Sequence, residues 1–203
     1  MKSYYYEDLL EVGVDEVARG CLAGPVVTAA VVWPKEDERV VLKDSKKYSH
    51  RKRLILKDYI EENAIDFSIN FQEPSVIDSI NILNATMKSM HESIRSLNLE
   101  VDHLLIDGNN FKPYMNAKGD KLPHTCIIQG DTKYAPIACA SILAKVHHDL
   151  YIEKYCDDHP EYDCYDWKKN MGYGTAPHID AIKKHGITPL HRKSFGICKN
   201  YNE

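Results

Sequence analysis

Three chain breakers, Gly20, Gly24 and Pro25, separate a short apolar stretch, Leu9 to Val14, from a very apolar run, Val26 to Trp33. Both stretches are too short for ordinary helices and are bounded by turn residues, so they predict two strands joined as a hairpin. Ile65, Phe67, Ile69 and Phe71 alternate with polar residues over Ala64 to Phe71, the period of a half-buried strand. That segment adds a third antiparallel strand. Between the second and third, Leu42 to Lys47 forms a loop that presents its lysines. Ser49 is then placed as the N-cap of a helix over about 50 to 63.

The rest of the chain alternates helix and strand. From Ser75 to Leu97, Val76, Ile77, Ile80, Ile82, Leu83, Met87, Met90, Ile94 and Leu97 recur mostly at three- and four-residue spacing, which predicts a helix, continuous or broken once. His103 to Asp107 is a strand that ends on a carboxylate, and Thr125 to Gln129 is another, closed by Gly130-Asp131. Small residues over Pro136 to Cys156 (Ala138, Ala140, Ser141, Ala144) let a helix lie close on a sheet. After the breakers Gly172, Gly174 and Pro177, a short helix covers about Ala176 to His185. The class is α/β: a mixed sheet flanked by helices, with a helical C-terminal extension. With 203 residues and no repeats, low-complexity segment or linker, one domain is expected, its C-terminal part being about 160–203.

Composition narrows the functions. The first eight residues, Met1 to Asp8, carry no apolar core of a signal peptide, and no transmembrane run follows, so a cytoplasmic protein without membrane attachment is expected. Six cysteines without a C-x-x-C pair fit a reduced compartment and not structural zinc. His147 and His148 are adjacent on a predicted helix and point to different faces, so the histidines predict no metal centre. The net charge of -4 argues against a nonspecific basic coat for nucleic acid. Basic residues are nevertheless concentrated: seven Lys/Arg against two Asp from Lys43 to Asp58, and seven against three acids from Tyr165 to the end. Each stretch is a solvated face or a phosphate-binding one.

Asp15, Asp107 and Asp131 lie at or near strand ends, with Glu16 next to Asp15. Any one of them alone could be a loop or N-cap residue. Were the strands carrying Asp15 and Asp107 parallel neighbours, both carboxylates would emerge at the same sheet edge, where open α/β sheets place ligands. Crowded carboxylates call for hard cations such as Mg2+ or Mn2+, and two ions about 4 Å apart can promote attack at a phosphorus centre.

The segment Gly13-Val14-Asp15-Glu16-Val17-Ala18-Arg19-Gly20-Cys21-Leu22-Ala23-Gly24-Pro25-Val26 closely resembles the opening motif of ribonuclease HII. Asp44-Ser45-Lys46-Lys47, Ile82 to Met87, Ile106-Asp107-Gly108-Asn109, Gly130-Asp131, Ala140 to Val146, Gly172-Tyr173-Gly174-Thr175 and His191 to Phe195 resemble its further blocks, in order. The resemblance implies the ribonuclease H fold. It implies Asp15, Glu16, Asp107 and Asp131 as catalytic, metal-binding carboxylates for two Mn2+ or Mg2+ ions. The activity implied is endonucleolytic cleavage 5′ to a ribonucleotide in RNA/DNA hybrids and in ribonucleotide-containing duplex DNA, leaving a 5′-phosphate and a 3′-hydroxyl.

A selective enzyme must recognise one 2′-hydroxyl and exclude the next. The resemblance assigns this to Ala18, Arg19 and Gly20 and to Tyr173, which would stack on the following deoxyribose. Ala18 departs from the family's usual Gly: at positive φ its methyl group has a cost, at negative φ none. Ser45, Lys46 and Lys145 resemble phosphate-contacting positions, and Arg192 with Lys193 is expected at the duplex flank. The rivals are ribonuclease HIII, whose extra N-terminal domain the twelve residues before Gly13 leave no room for, a non-catalytic binding module, and a small-molecule metalloenzyme. The last is disfavoured by the basic Lys43 to Lys57 run. A monomer is expected, and Cys198 to Glu203 shows no apolar-aromatic sliding-clamp motif.

Overall fold

The computed structural model describes residues 1–36 and 48–201. Ser45 and Lys46 lie outside the described residues. A five-stranded sheet runs in the order β3-β2-β1-β4-β5, with β1 Glu11–Val17, β2 Val26–Val32, β3 Asp66–Gln72, β4 His103–Asp107 and β5 His124–Ile127. The first three strands pair antiparallel, while β1 with β4 and β4 with β5 pair parallel. This is the mixed sheet expected, and the hairpin β1–β2 is its centre.

Both faces of β2 are covered, which explains its unbroken apolar run. Ala29 and Val31 pack with Ile60 of α1 (His50–Asn63) and with Ala138, Ile142 and Leu143 of α4 (Ala135–Asp158). Ala30 and Val32 pack on the opposite face with Met87, Met90 and Ile94 of α3 (Ile82–Arg95). The one hydroxyl buried in that strand, Thr28, shares hydrogen bonds with Ser89 at 2.8 Å and Ser93 at 2.7 Å, so no polar atom is stranded there. Helix α4 approaches β1 so closely that a Cβ on Gly13 would stand 2.2 Å from the Pro136 carbonyl carbon. A residue with any side chain does not fit.

Caps and breaks in the chain mark the element ends. Ser49 caps α1, its Oγ accepting from Lys52 N–H at 3.3 Å. The helical region after β3 breaks at Asn81, whose φ is 65°, into α2 (Pro74–Ile80) and α3, and the Asn81 side chain caps the second piece. Strand β1 runs three residues further than the apolar run, because its antiparallel pairing to β2 continues to Val17↔Val27 after the parallel pairing to β4 stops at Val14↔Ile106. Conversely β5 stops at Ile127: Gln129 turns left-handed (φ 56°) into a 3-10 turn, Gly130–Thr132, that carries Asp131.

The C-terminal part comprises a 3-10 turn Pro160–Tyr165, α5 (Trp167–Asn170), α6 (Ala176–His185) and a 3-10 turn Gly196–Tyr201. Its apolar cluster, including Trp167, Ile182, Leu190 and Cys198, closes around Leu22 and Ala23 of the β1–β2 connection. Among the described residues no helix is long and apolar enough to cross a membrane.

Candidate active site

Parallel pairing of β1 with β4 brings Asp15 and Asp107 together, since Val14 stands opposite Ile106 one residue before each carboxylate. Asp15 is buried, and its Oδ1 accepts from Glu16 N–H at 2.7 Å. Burial, followed by the negative charges of Glu16 and Asp107, raises the Asp15 carboxyl well above the ordinary range. Burial also raises Glu16, against the pull of Arg19, whose Nη1 lies 3.1 Å from Glu16 Oε1. Asp107 Oδ1 accepts from Gly130 N–H at 2.7 Å, and a Cβ at Gly130 would come within 3.2 Å of that same oxygen. The tighter limit is Ile137, whose Cδ1 would stand 2.5 Å from that Cβ, so the glycine lets the turn carrying Asp131 pack between Asp107 and α4. Asp131 itself is buried in that turn and is not among the residues lining the cleft described next.

A cleft of ≈ 460 Å³ opens over these groups, lined by Asp15, Glu16, Val17, Arg53, Asp107, Ser141, Lys145 and Tyr173. A second recess of ≈ 140 Å³ shares Glu16 and Asp107 and is lined further by Arg19 and Asn109. The carboxylates therefore stand between two openings. Cations face them: Lys145 donates to buried Asp149 at 2.7 Å, one helical turn on, and its Nζ stands 5.9 Å from the Tyr173 ring centre. Asp149 in turn meets His148 Nδ1 at 3.2 Å. Arg53, Ser141 and Asp149 were not singled out as functional from the sequence. In the sequence Arg53 is one charge in a basic run, and Ser141 is a small residue on a close-packed helix within the family-like block Ala140 to Val146, with no role of its own.

The connection from β1 to β2 forms the rim. Ala18 has φ 68° and is buried, Arg19 and Gly20 are exposed, and no atom lies within 4 Å of a Cβ built on Gly20. Opposite this turn, Tyr173 is 40% exposed. The two are fastened together, because Gly172 O accepts from Leu22 N–H at 2.8 Å and Ala23 N–H at 3.2 Å. Gly172 has φ 79°, and a Cβ there would meet Ala23 O at 2.3 Å, so this join requires glycine.

Arg192 corrects an expectation. It is 0% exposed and does not face a duplex flank; Nε donates to Gly24 O at 2.9 Å and Nη1 to Arg19 O at 3.0 Å. Burial lowers its pKa to about 10, with Cys21 and Tyr173 opposing the shift, and it remains charged at neutral pH. It is an internal strut behind the rim. Lys193 beside it is exposed, with its main-chain N–H bonded to Asp78.

Comparison with known proteins decides the lineage: the family model of ribonuclease HII matches residues 12–198. The chain belongs to the ribonuclease HII family. The ribonuclease HII of Christiangramia forsetii is 48% identical over 197 residues, covering 97% of this chain and 96% of that one. Among solved structures, the PCNA:RNase HII complex from Archaeoglobus fulgidus superposes with a TM-score of 0.74 at 24% identity, over 93% of this chain and 96% of that one. Bst-RNase HIII, in a structure in complex with Mn2+, gives 0.73 at 16% identity, over 94% of this chain and 68% of that one. As a ribonuclease HII, this chain is a type 2 ribonuclease H, a metal-dependent endonuclease.

The donor set fits that dependence. Asp15, Glu16 and Asp107 are hard oxygen donors on one cleft, and their crowding is the load a divalent cation offsets. They line the cleft without closing into a finished cage: among the described residues no three Asp, Glu, His or Cys side chains meet as a ready-made cation site.

Proposed function

We propose that this ribonuclease HII cleaves the phosphodiester 5′ to a ribonucleotide, in RNA/DNA hybrids and at RNA–DNA junctions in duplex DNA, leaving a 5′-phosphate and a 3′-hydroxyl. One observation carries the reading: the acidic pair Asp15–Asp107 and the exposed Tyr173 line the same cleft, and the Ala18–Gly20 turn follows directly on its lining residue Val17, with Arg19 lining the adjoining recess. Chemistry and a surface able to sense a sugar are therefore adjacent.

Two divalent cations, bound by Asp15, Glu16, Asp107 and Asp131, would supply the charge that activates water and steadies the departing 3′ oxygen. The chain supplies the rest. Lys145 and Arg53 neutralise the backbone phosphates that enter the cleft. The main chain of Ala18, Arg19 and Gly20 hydrogen-bonds the 2′-hydroxyl of the ribonucleotide, the group that distinguishes RNA from DNA. Tyr173 packs its ring on the next sugar, where a second 2′-hydroxyl would clash. The Arg19–Glu16 ion pair links the sugar-reading turn to a candidate ligand.

A duplex carrying one ribonucleotide, labelled at its 5′ end, tests the reading. The expected nick is on the 5′ side of the ribonucleotide, and a nick on its 3′ side refutes it. Asp107→Asn is expected to lose cleavage in both Mg2+ and Mn2+, and unchanged cleavage removes the ligand role.

A further inference from the structure

Behind Tyr173 lies a chain of buried polar side chains that the chemistry does not use. His178 and His191, both buried, meet through their Nε2 atoms at 3.1 Å, and Trp167 Nε1 donates to His178 Nε2 at 3.0 Å. His191 Nδ1 is met by Thr188 N–H at 2.9 Å, and His178 Nδ1 stands 2.9 Å from Tyr173 O.

These contacts leave one assignment of protons. A main-chain N–H can only donate, so His191 Nδ1 carries a lone pair and its neutral ring bears the hydrogen on Nε2. An indole N–H also can only donate, so His178 Nε2 is an acceptor, its single lone pair shared between the N–H of Trp167 and that of His191 in a three-centre contact. The hydrogen of His178 is thereby forced onto Nδ1, from which it donates to the carbonyl of Tyr173. That carbonyl also accepts from Thr175 N–H at 2.8 Å.

The loop is thus held on two sides: by Leu22 and Ala23 on Gly172, and by the histidine chain on Tyr173. We infer that His178, with its tautomer locked by Trp167 and His191, is a positioning residue that sets where the Tyr173 ring stands and so sets the preference for an RNA–DNA junction over continuous hybrid. His178 does not touch substrate; it acts through the main chain of Tyr173. The inference rests on the reading of Tyr173 as the sugar-sensing residue.

The test compares kcat/KM on a DNA duplex with one ribonucleotide and on a continuous RNA/DNA hybrid, for the parent enzyme, Tyr173→Ala, His178→Ala and His178→Asn. The junction-to-hybrid ratio is expected to fall about tenfold in His178→Ala, the scale of one or two net hydrogen bonds. His178→Asn, whose amide N–H reaches the place of Nδ1, is expected to recover much of it. A ratio lost in Tyr173→Ala but kept in His178→Ala, including by parallel loss on both substrates, overturns the inference alone. A ratio kept in Tyr173→Ala overturns the sugar-sensing reading, and the inference with it. Nitrogen-15 NMR of the parent enzyme needs no variant to fold: a protonated Nδ1 and bare Nε2 on His178 are expected at neutral pH, and the opposite tautomer overturns the assignment.

Discussion

Arg192 Nη1 donates to the carbonyl of Arg19 at 3.0 Å, so one arginine from the C-terminal part holds the main chain of another at the rim of the cleft. The same guanidinium holds Gly24 O, and both ends of the β1–β2 turn hang on it. Lysine offers a point charge without the planar fork. Arg192→Lys is expected to lose about 2–4 kcal/mol in urea denaturation, the scale of hydrogen bonds from a buried charged group. A duplex-flank contact would instead leave stability intact and change only the salt dependence of binding.

Ala18 has φ 68° in the left-handed region, where a methyl group costs on the order of 1 kcal/mol. Ala18→Gly is expected to leave stability unchanged or raise it by up to about 0.5 kcal/mol, the strain relief less the greater freedom of unfolded glycine. Because glycine keeps the main chain proposed to read the sugar and removes only a buried methyl group, junction cleavage is expected to be preserved. Thermal denaturation checks the first outcome and nicking of a single-ribonucleotide duplex the second.

Asp149 anchors Lys145 from inside α4. Burial pushes the Asp149 carboxyl up, but bonds and charges from His148 and Lys145 overcome this and leave it below the ordinary value. The sign follows: its stabilising contribution is present above the unfolded carboxylate pKa and is lost as pH falls through the depressed folded one. Asp149→Asn is expected to raise KM several-fold more than it lowers kcat, because Lys145 loses its anchor while the carboxylates stay in place. Steady-state kinetics at two salt concentrations measures the split.

For Asp15 the sign is opposite. Its raised carboxyl binds its proton more tightly folded than unfolded, so without cations stability falls as pH rises from the unfolded pKa through the raised folded one. A divalent cation takes the deprotonated form, and its binding releases that proton. Mn2+ is therefore expected to raise the melting temperature more at pH 8 than at pH 5, and Asp15→Asn is expected to flatten that difference. Melting curves at both pH values, with Mn2+ and with a chelator, give the comparison.

Local chemistry was legible wherever it is written in neighbouring residues. Ser49 before a helical run and α6 from Ala176 to His185 follow from caps and periodicity, which depend only on nearby atoms, whereas the place of the helix break, Asn81 at φ 65°, is a finding of the structure. Arg192 was not legible, because a charged residue in a basic stretch ordinarily faces water, and its buried acceptors, Arg19 O and Gly24 O, lie at the other end of the chain. The histidine chain is invisible in the sequence for the same reason: His178 and His191 meet through a shared hydrogen bond that no spacing rule records.

The sequence by itself determined the hairpin, the helices and the carboxylates at or beside strand ends, because hydrophobic period and turn residues report which face of each segment is buried. Only the tertiary structure decided that β1 and β4 run parallel as neighbours and bring Asp15 beside Asp107, that Ala18 is left-handed, and that Arg192 points inward. Pairing partners and backbone strain are set by contacts between segments far apart in the chain, and those contacts exist only once the sheet has closed.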